Sequence, residues 1–157
     1  MTSKHSKVTE QHVQAIMMKF ILEKMRHEVV IPNVERLLPH EADMVSYTRN
    51  QLLHEFEIKL DKYDFQEDRH KPKHATIPTA KENSPAYFWY VTYNFSIQPP
   101  AHAGWILIKN TGEVQVMKEA PKHNEWKMEA DKFRYAALTL SKRVARMYMA
   151  YYLNQDP

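Results

Sequence analysis

The segment Glu55-Phe56-Glu57-Ile58-Lys59 alternates charged and apolar side chains with a period of two, the pattern of a strand that buries one face. Alternation puts Glu57 and Lys59 on the same side, roughly 6–7 Å apart along the strand, and turns Ile58 toward a core. Asp43 stands fourteen residues before Glu57 in a second strand-like run. Residues 42–48 and 52–60 read as an antiparallel hairpin turning near Arg49-Asn50, where Asn tolerates the left-handed conformation such turns need. The length of the loop decides the chemistry. A two-residue loop sets Asp43 opposite Phe56 and leaves Glu57 on the other face. A three-residue loop, Arg49 to Gln51, sets Asp43 opposite Glu57, because directly opposed residues share a face. A common face for Asp43, Glu57 and Lys59 requires the second case or a bulge of the same parity. Leu52, Phe56, Ile58 and Leu60 then form the buried face.

The rest of the chain supplies a sheet and its cover. Residues 1–8 read as a flexible polar tail, and residues 9–153 as a single domain. Thr9 suits a helix N-cap, and Val13, Ile16, Met17, Phe20, Ile21 and Met25 recur at helical spacing, which predicts an amphipathic helix over 10–29. Residues 32–40, with Asn33 and Arg36, read as a loop or short strand. Asp61 can cap a helix running to about residue 71, stopped by Pro72. Residues 72–84 read as a polar loop. The aromatic run 86–95 predicts a buried central strand. Residues 104–109 and 113–118 predict strands about the turn Asn110-Thr111-Gly112, and residues 127–153 a long helix. Helix, two strands, helix, strand, two strands, helix is the order of an α/β or α+β sheet flanked by helices.

Composition narrows the function classes. The chain has 157 residues, no cysteine and two glycines. Disulfides, thiolate metal sites and Gly-rich phosphate loops are therefore excluded. No run of eighteen apolar residues offers a membrane span, and the N-terminus lacks the apolar segment of a signal peptide, so a cytoplasmic location is expected. The net charge is +3, yet residues 41–68 hold eight of the nineteen acids. An acidic centre in a basic frame fits a metal site inside a phosphate-binding surface, and it also fits a solvated charged face. The nine histidines give no zinc motif, since His70 and His74 have Pro72 between them.

Two carboxylates and a lysine on one face suit a hard divalent cation beside a positive charge. Mg²⁺, or Mn²⁺ in its place, prefers oxygen ligands and keeps several waters. Asp43 and Glu57 would supply carboxylate oxygens and Ile58 its backbone carbonyl. Lys59 would orient the attacking water or stabilise charge developing on the phosphorane. The same triplet also occurs on ordinary solvated strands.

The residues around the triplet carry a resemblance. Ala-Asp-Met-Val-Ser-Tyr-Thr, Glu-Phe-Glu-Ile-Lys, then Asp64-Phe65 and Asp68 resemble the PD-(D/E)XK nuclease superfamily. Further on, Tyr87-Phe88-Trp89-Tyr90, Ala103-Gly104-Trp105-Ile106, the Gly112 turn, Lys118-Glu119-Ala120-Pro121-Lys122 and the last helix with Arg143 and Arg146 follow in the order of MmcB-like DNA repair proteins and related phage-type nucleases. The likeness covers roughly residues 30–148. It implies a restriction-endonuclease-like fold, a mixed central sheet with helices on both sides, and an endonuclease-type hydrolase of DNA. Asp43 and Glu57 are implied as metal ligands, and Asp43, Glu57 and Lys59 as the catalytic set. A further helical acid, present in many members, would be Glu10, Glu23 or Glu28, with Glu23 preferred for its mid-helix position.

Arg69, Lys71, Lys73 and His74, with Lys142, Arg143 and Arg146 on the last helix, are candidate phosphate contacts to DNA or RNA. Asp64 and Asp68 read as auxiliary ligands or as solvent-facing charges. The short chain has no room for a separate recognition domain, which leaves a homodimer or a targeting partner to supply it. The alternative function is a nuclease fold that binds nucleic acid without cleaving it.

Overall fold

A computed structural model describes residues 8–153. By its internal packing the chain falls into two compact units, Met1–Lys127 and Met128–Pro157. The first holds a six-stranded mixed sheet in the order β1-β2-β3-β4-β5-β6. Its strands are β1 (Val29–Val34), β2 (Ala42–Tyr47), β3 (Leu53–Lys59), β4 (Tyr87–Tyr93), β5 (Ala103–Ile108) and β6 (Val114–Lys118). β3, β4 and β5 run parallel to one another, and the remaining neighbours pair antiparallel. The mixed α/β sheet expected from the sequence is thus present. The second unit contains one long helix, α4 (Ala130–Leu153).

The first helix is shorter than its apolar spacing suggests. α1 (Glu10–Phe20) starts at Thr9, whose hydroxyl accepts the His12 N–H at 3.3 Å as an N-cap should. A π-helical turn, Ile21–Met25, follows and ends at Arg26, which takes a left-handed φ of 57°. The β-branched run Val29-Val30-Ile31 then joins the sheet as β1. Strand pairing there overrides helical periodicity, and the expected helix over 10–29 loses its last turns. Pro32 lies within β1, where the absence of an N–H is tolerated because β1 is an edge strand.

The hairpin has the three-residue loop. The paired residues run from Tyr47↔Leu53 to Met44↔Phe56, and Thr48 N–H donates to the Leu52 carbonyl at 3.1 Å, closing the loop over residues 49–51. The left-handed residue is Gln51, with φ 63°, and not Asn50. One step beyond Met44↔Phe56, this register carries Asp43 to Glu57.

Parity then divides β3 between two different environments. Phe56 and Ile58 join Val13, Met17, Ile21, Val30, Met44, Trp89, Val91, Ile106 and Ile108 in the core on the α1 side of the sheet. Glu55, Glu57 and Lys59 occupy the other face, beside Phe88, Tyr90 and Thr92 of the parallel β4. That face is covered by the β3–β4 crossover. It contains α2 (Lys62–Asp68), capped by Asp61 as expected, and a short α3 (Lys73–Thr76) where the sequence suggests only loop. Phe65 of α2 and Ile77, just after α3, pack with Phe88, Tyr90 and Ala103. Every residue of β3 is buried, its charged ones included.

Gly104 shows how closely β5 is packed. A Cβ there would lie 2.5 Å from Trp89 Cε3 and 2.7 Å from the Ala120 nitrogen, while one at Gly112, in the β5–β6 turn with φ 84°, would meet nothing within 4 Å. Gly104→Ala is expected to lose about 2 kcal/mol through overpacking, and Gly112→Ala about 1 kcal/mol through backbone strain alone. Urea denaturation of both variants checks the order of the two effects.

Candidate active site

Three acids and three lysines meet on the charged face of β3. Glu57 Oε1 lies 2.9 Å from Lys59 Nζ and 3.4 Å from Lys71 Nζ, and Glu57 Oε2 lies 2.5 Å from Lys73 Nζ. Lys73 Nζ is also 3.3 Å from Glu55 Oε1. Asp68 Oδ1 lies 2.6 Å from Lys71 Nζ and 3.2 Å from Lys59 Nζ. Glu55, Glu57, Asp68, Lys59 and Lys73 are buried, and only Lys71 of the six is half exposed. Burial alone would pull the lysines toward neutrality. For Lys59, Glu57 and then Asp68 and Asp64 outweigh that burial and hold it above its ordinary value; for Lys73, Glu55 and Glu57 do the same. Both remain ammonium ions at neutral pH. Asp68 is held well below the usual carboxylate range: burial opposes its charge, but hydrogen bonds from His74 and Lys71 and the nearby Lys73 and Lys59 prevail.

Asp43 stands at the open end of this cluster. Its Oδ2 accepts the Ile58 N–H at 2.7 Å, so a side chain takes over just past the paired part of the hairpin. Burial and the nearby Glu57 push the Asp43 carboxyl up to about 7, with Glu10 adding to the shift, while the Ile58 N–H and Lys59 oppose it. Gln14 of α1 ties the neighbourhood together, its amide donating to Glu10 Oε1 at 3.2 Å, to Asn33 Oδ1 at 2.9 Å and to the Asp43 carbonyl at 3.1 Å. Of the three helical acids, Glu10 is therefore the one placed near Asp43. Glu23, preferred from its mid-helix position, instead lines a groove with Ile16, Lys19, Phe20, Lys24, Gly112 and Val114.

Other expected residues separate by burial. Lys73, grouped in sequence with exposed phosphate contacts, is only 7% exposed and is held by carboxylates. His74 turns inward, with Nε2 2.8 Å from Asp68 Oδ2 and Nδ1 3.1 Å from His102 Nε2. Tyr90 donates its hydroxyl to Asp68 Oδ2 at 2.8 Å. Arg69 is exposed, its guanidinium 5.9 Å from the Phe65 ring centre, and Lys71 is half exposed. Asp64 faces solvent, as its solvated reading has it, but Asp68 does not. Lys142, Arg143 and Arg146 lie on α4, in the second unit.

Sequence reasoning passed over Glu55, which is fully buried and lies 2.9 and 2.8 Å from His40 Nε2 through its two oxygens. Its signal was the shared parity of Glu55, Glu57 and Lys59. The aromatic run places Tyr90 in a buried strand, and nothing in that strand marks its hydroxyl as a partner for Asp68.

The donor set can be set against the divalent cation that the resemblance implies. Burial and then repulsion from Glu57 raise Asp43, and a cation between the two carboxylates would relieve that repulsion. Around Glu57 the positive charge is already supplied by three ammonium groups. At Asp43 the charge suits a cation, while Glu57 is already balanced by lysines. Among the described residues, no group of three or more His, Asp or Glu side chains is already arranged as a ligand set.

The raised Asp43 has a stability consequence. With its folded value near 7 and its ordinary value 3.8, the native chain holds an extra proton between those limits, so stability falls as pH rises from about 4 to about 7. Asp43→Asn keeps an acceptor for Ile58 N–H and removes the charge. The variant is expected to be more stable than the wild type at about pH 8 by about 2 kcal/mol, discounted for partial exposure from the ~4 kcal/mol of three pKa units. The gap should close by about pH 4, and denaturant titrations across that range check it.

No protein-family model matches the chain, and no curated protein matches it. Among solved structures it is similar to the SPO1766 protein of unknown function from Silicibacter pomeroyi, with a TM-score of 0.61, 13% sequence identity and coverage of 93% of both chains. At that identity the likeness establishes a shared fold. Among the described residues, no helix is long and apolar enough to cross a membrane.

Proposed function

We propose that this protein is a metal-dependent nuclease of the PD-(D/E)XK type that hydrolyses phosphodiester bonds of DNA in DNA processing or repair. The observation that carries the reading is the register of the hairpin: a three-residue loop brings Asp43 opposite Glu57 on the face that also bears Lys59. Asp43, Glu57 and the Ile58 carbonyl would hold Mg²⁺ or Mn²⁺. When bound, the ion supplies polarisation of a phosphate oxygen and a water acidified for attack.

The chain's own residues divide the remaining work. Lys59 is held as an ammonium by Glu57, Asp68 and Asp64, so it stabilises negative charge on the pentacoordinate phosphorus and does not take a proton. Asp68 holds Lys59 from the α2 side at 3.2 Å. Ile58 N–H fixes the Asp43 carboxylate. Arg69 and Lys71, the exposed cations of the α2–α3 segment, are suited to phosphates flanking the scissile bond.

A second reading has one observation in its favour. Glu57 is held by three lysines, an arrangement that also suits a nuclease fold retained for nucleic-acid binding without cleavage. That reading predicts salt-sensitive DNA binding without turnover.

Incubation of supercoiled plasmid with the protein and Mg²⁺ or Mn²⁺ separates the two. Nicking or linearisation is expected, with a loss of about 100-fold or more in Asp43→Ala and Lys59→Ala. Equal cleavage by the wild type and both variants would identify a contaminant and sink the proposal. Retarded plasmid mobility without cleavage would favour the binding module.

A further inference from the structure

α4 carries one apolar stripe along its length: Phe133, Ala137, Leu140, Val144, Met147 and Tyr151. The steps are four, three, four, three and four residues, and Ala130 continues the pattern one step back. A mean spacing of 3.5 residues is the seam of a helix wound against another helix; a stripe that follows the straight helix repeats at 3.6. In heptad terms Ala137, Val144 and Tyr151 occupy a, and Phe133, Leu140 and Met147 occupy d. All six charged residues of α4 lie off the seam, and Arg134 and Arg143 border it on either side. The seam is exposed except at half-buried Leu140, with Met147 70% and Tyr151 60% exposed. Among the described residues of the second unit, no other helix is present to cover it.

We infer that this seam is the interface of a parallel two-stranded coiled coil between α4 and α4 of a second copy of this chain. The inference stands apart from the nuclease reading. Val144 at a beside Leu140 at d is the combination that favours two strands. Charge complementarity then fixes the direction. Glu129, one residue before α4, already lies in helical register, since its carbonyl accepts the Phe133 N–H at 3.1 Å. In a parallel pair each g residue faces the e residue five positions on in the second copy. Glu129 therefore meets Arg134 of the second copy, and by symmetry the ion pair forms twice. Arg143 meets the Tyr148 ring of the second copy, a cation over an aromatic face. The antiparallel alternative sets Arg143 against Arg143, a like-charge contact that disfavours it. A lipid surface suits a broader apolar face than a seam confined between two arginines.

Sedimentation equilibrium of the full chain is expected to show a dimer that Val144→Asp and Met147→Asp each weaken about 100-fold or more, by setting like charges face to face across the seam. Trp89, Trp105 and Trp126, the three tryptophans of the chain, all lie in the first unit, so an unchanged near-ultraviolet circular dichroism spectrum shows that unit intact in both variants. Orientation has its own readout, because the chain has no cysteine. Ala137→Cys places a single thiol where a parallel pair brings equivalent residues together, and mild oxidation should yield a disulfide-linked dimer. A dimer weakened by both charges and linked through Ala137→Cys alone supports the inference. A monomer at every concentration overturns it, and flotation of that monomer with phosphatidylserine vesicles would assign the stripe to a lipid surface. A dimer that both aspartates leave intact overturns it as well. So does linkage that forms only when Ala137→Cys is mixed with Met147→Cys, the pairing an antiparallel arrangement requires.

Discussion

Buried charge must be balanced where it lies, and the architecture around β3 follows from that requirement. Glu55, Glu57 and Lys59 are drawn under cover because they alternate with Phe56 and Ile58, which belong to the core on the other side of the sheet. Once buried, the acids need partners, since removing one member of such a pair typically costs about 3–5 kcal/mol. The partners come from the crossover: Asp68 at the end of α2, Lys71 in the turn after it, and Lys73 in α3. Parallel neighbours such as β3 and β4 require a crossing connection. Here that connection is fastened to the sheet by ion pairs as well as by Phe65 and Ile77. The site and the crossover thus depend on the same contacts.

Much of this was legible in the sequence, for a specific reason. A period of two leaves a direct imprint on residue order, so β3 and its two faces could be read from Glu55 to Lys59, and loop parity reduced the position of Asp43 to a choice between two registers. The caps at Thr9 and Asp61 were readable because capping is local. The structure supplies the deciding fact, a loop over residues 49–51 with Gln51 in the left-handed region. The sequence pointed to Asn50 because Asn adopts that conformation at lower cost. Register constraints from the paired strands place it one residue later.

What stayed hidden was set by long-range packing. Helical periodicity continues through Met25, yet residues 29–34 become a strand because β2 offers a partner for the β-branched run. Asp68 looks like half of an exposed i, i+4 pair with Asp64, but only Asp68 is buried against the sheet, while Asp64 reaches Lys59 from the solvent side. Lys73 sits in a polar segment that reads as solvated loop, and its burial follows from acids on a strand more than a dozen residues away. In sequence Glu23 is preferred over Glu10 for its mid-helix position. Gln14, bonded at once to Glu10, Asn33 and the Asp43 carbonyl, separates them.

Pro32 and Asn33 give the first edge of the sheet a further property. Pro32 has no N–H to offer, and Asn33 turns to a φ of 51° one residue before the strand ends. An incoming strand needs a regular row of donors and acceptors, and here that row is interrupted at two successive residues. β1 therefore makes a poor template for another chain's backbone, so the sheet is guarded against edge-to-edge growth on the side nearest Asp43. Contacts made there fall to side chains and not to the backbone of a seventh strand.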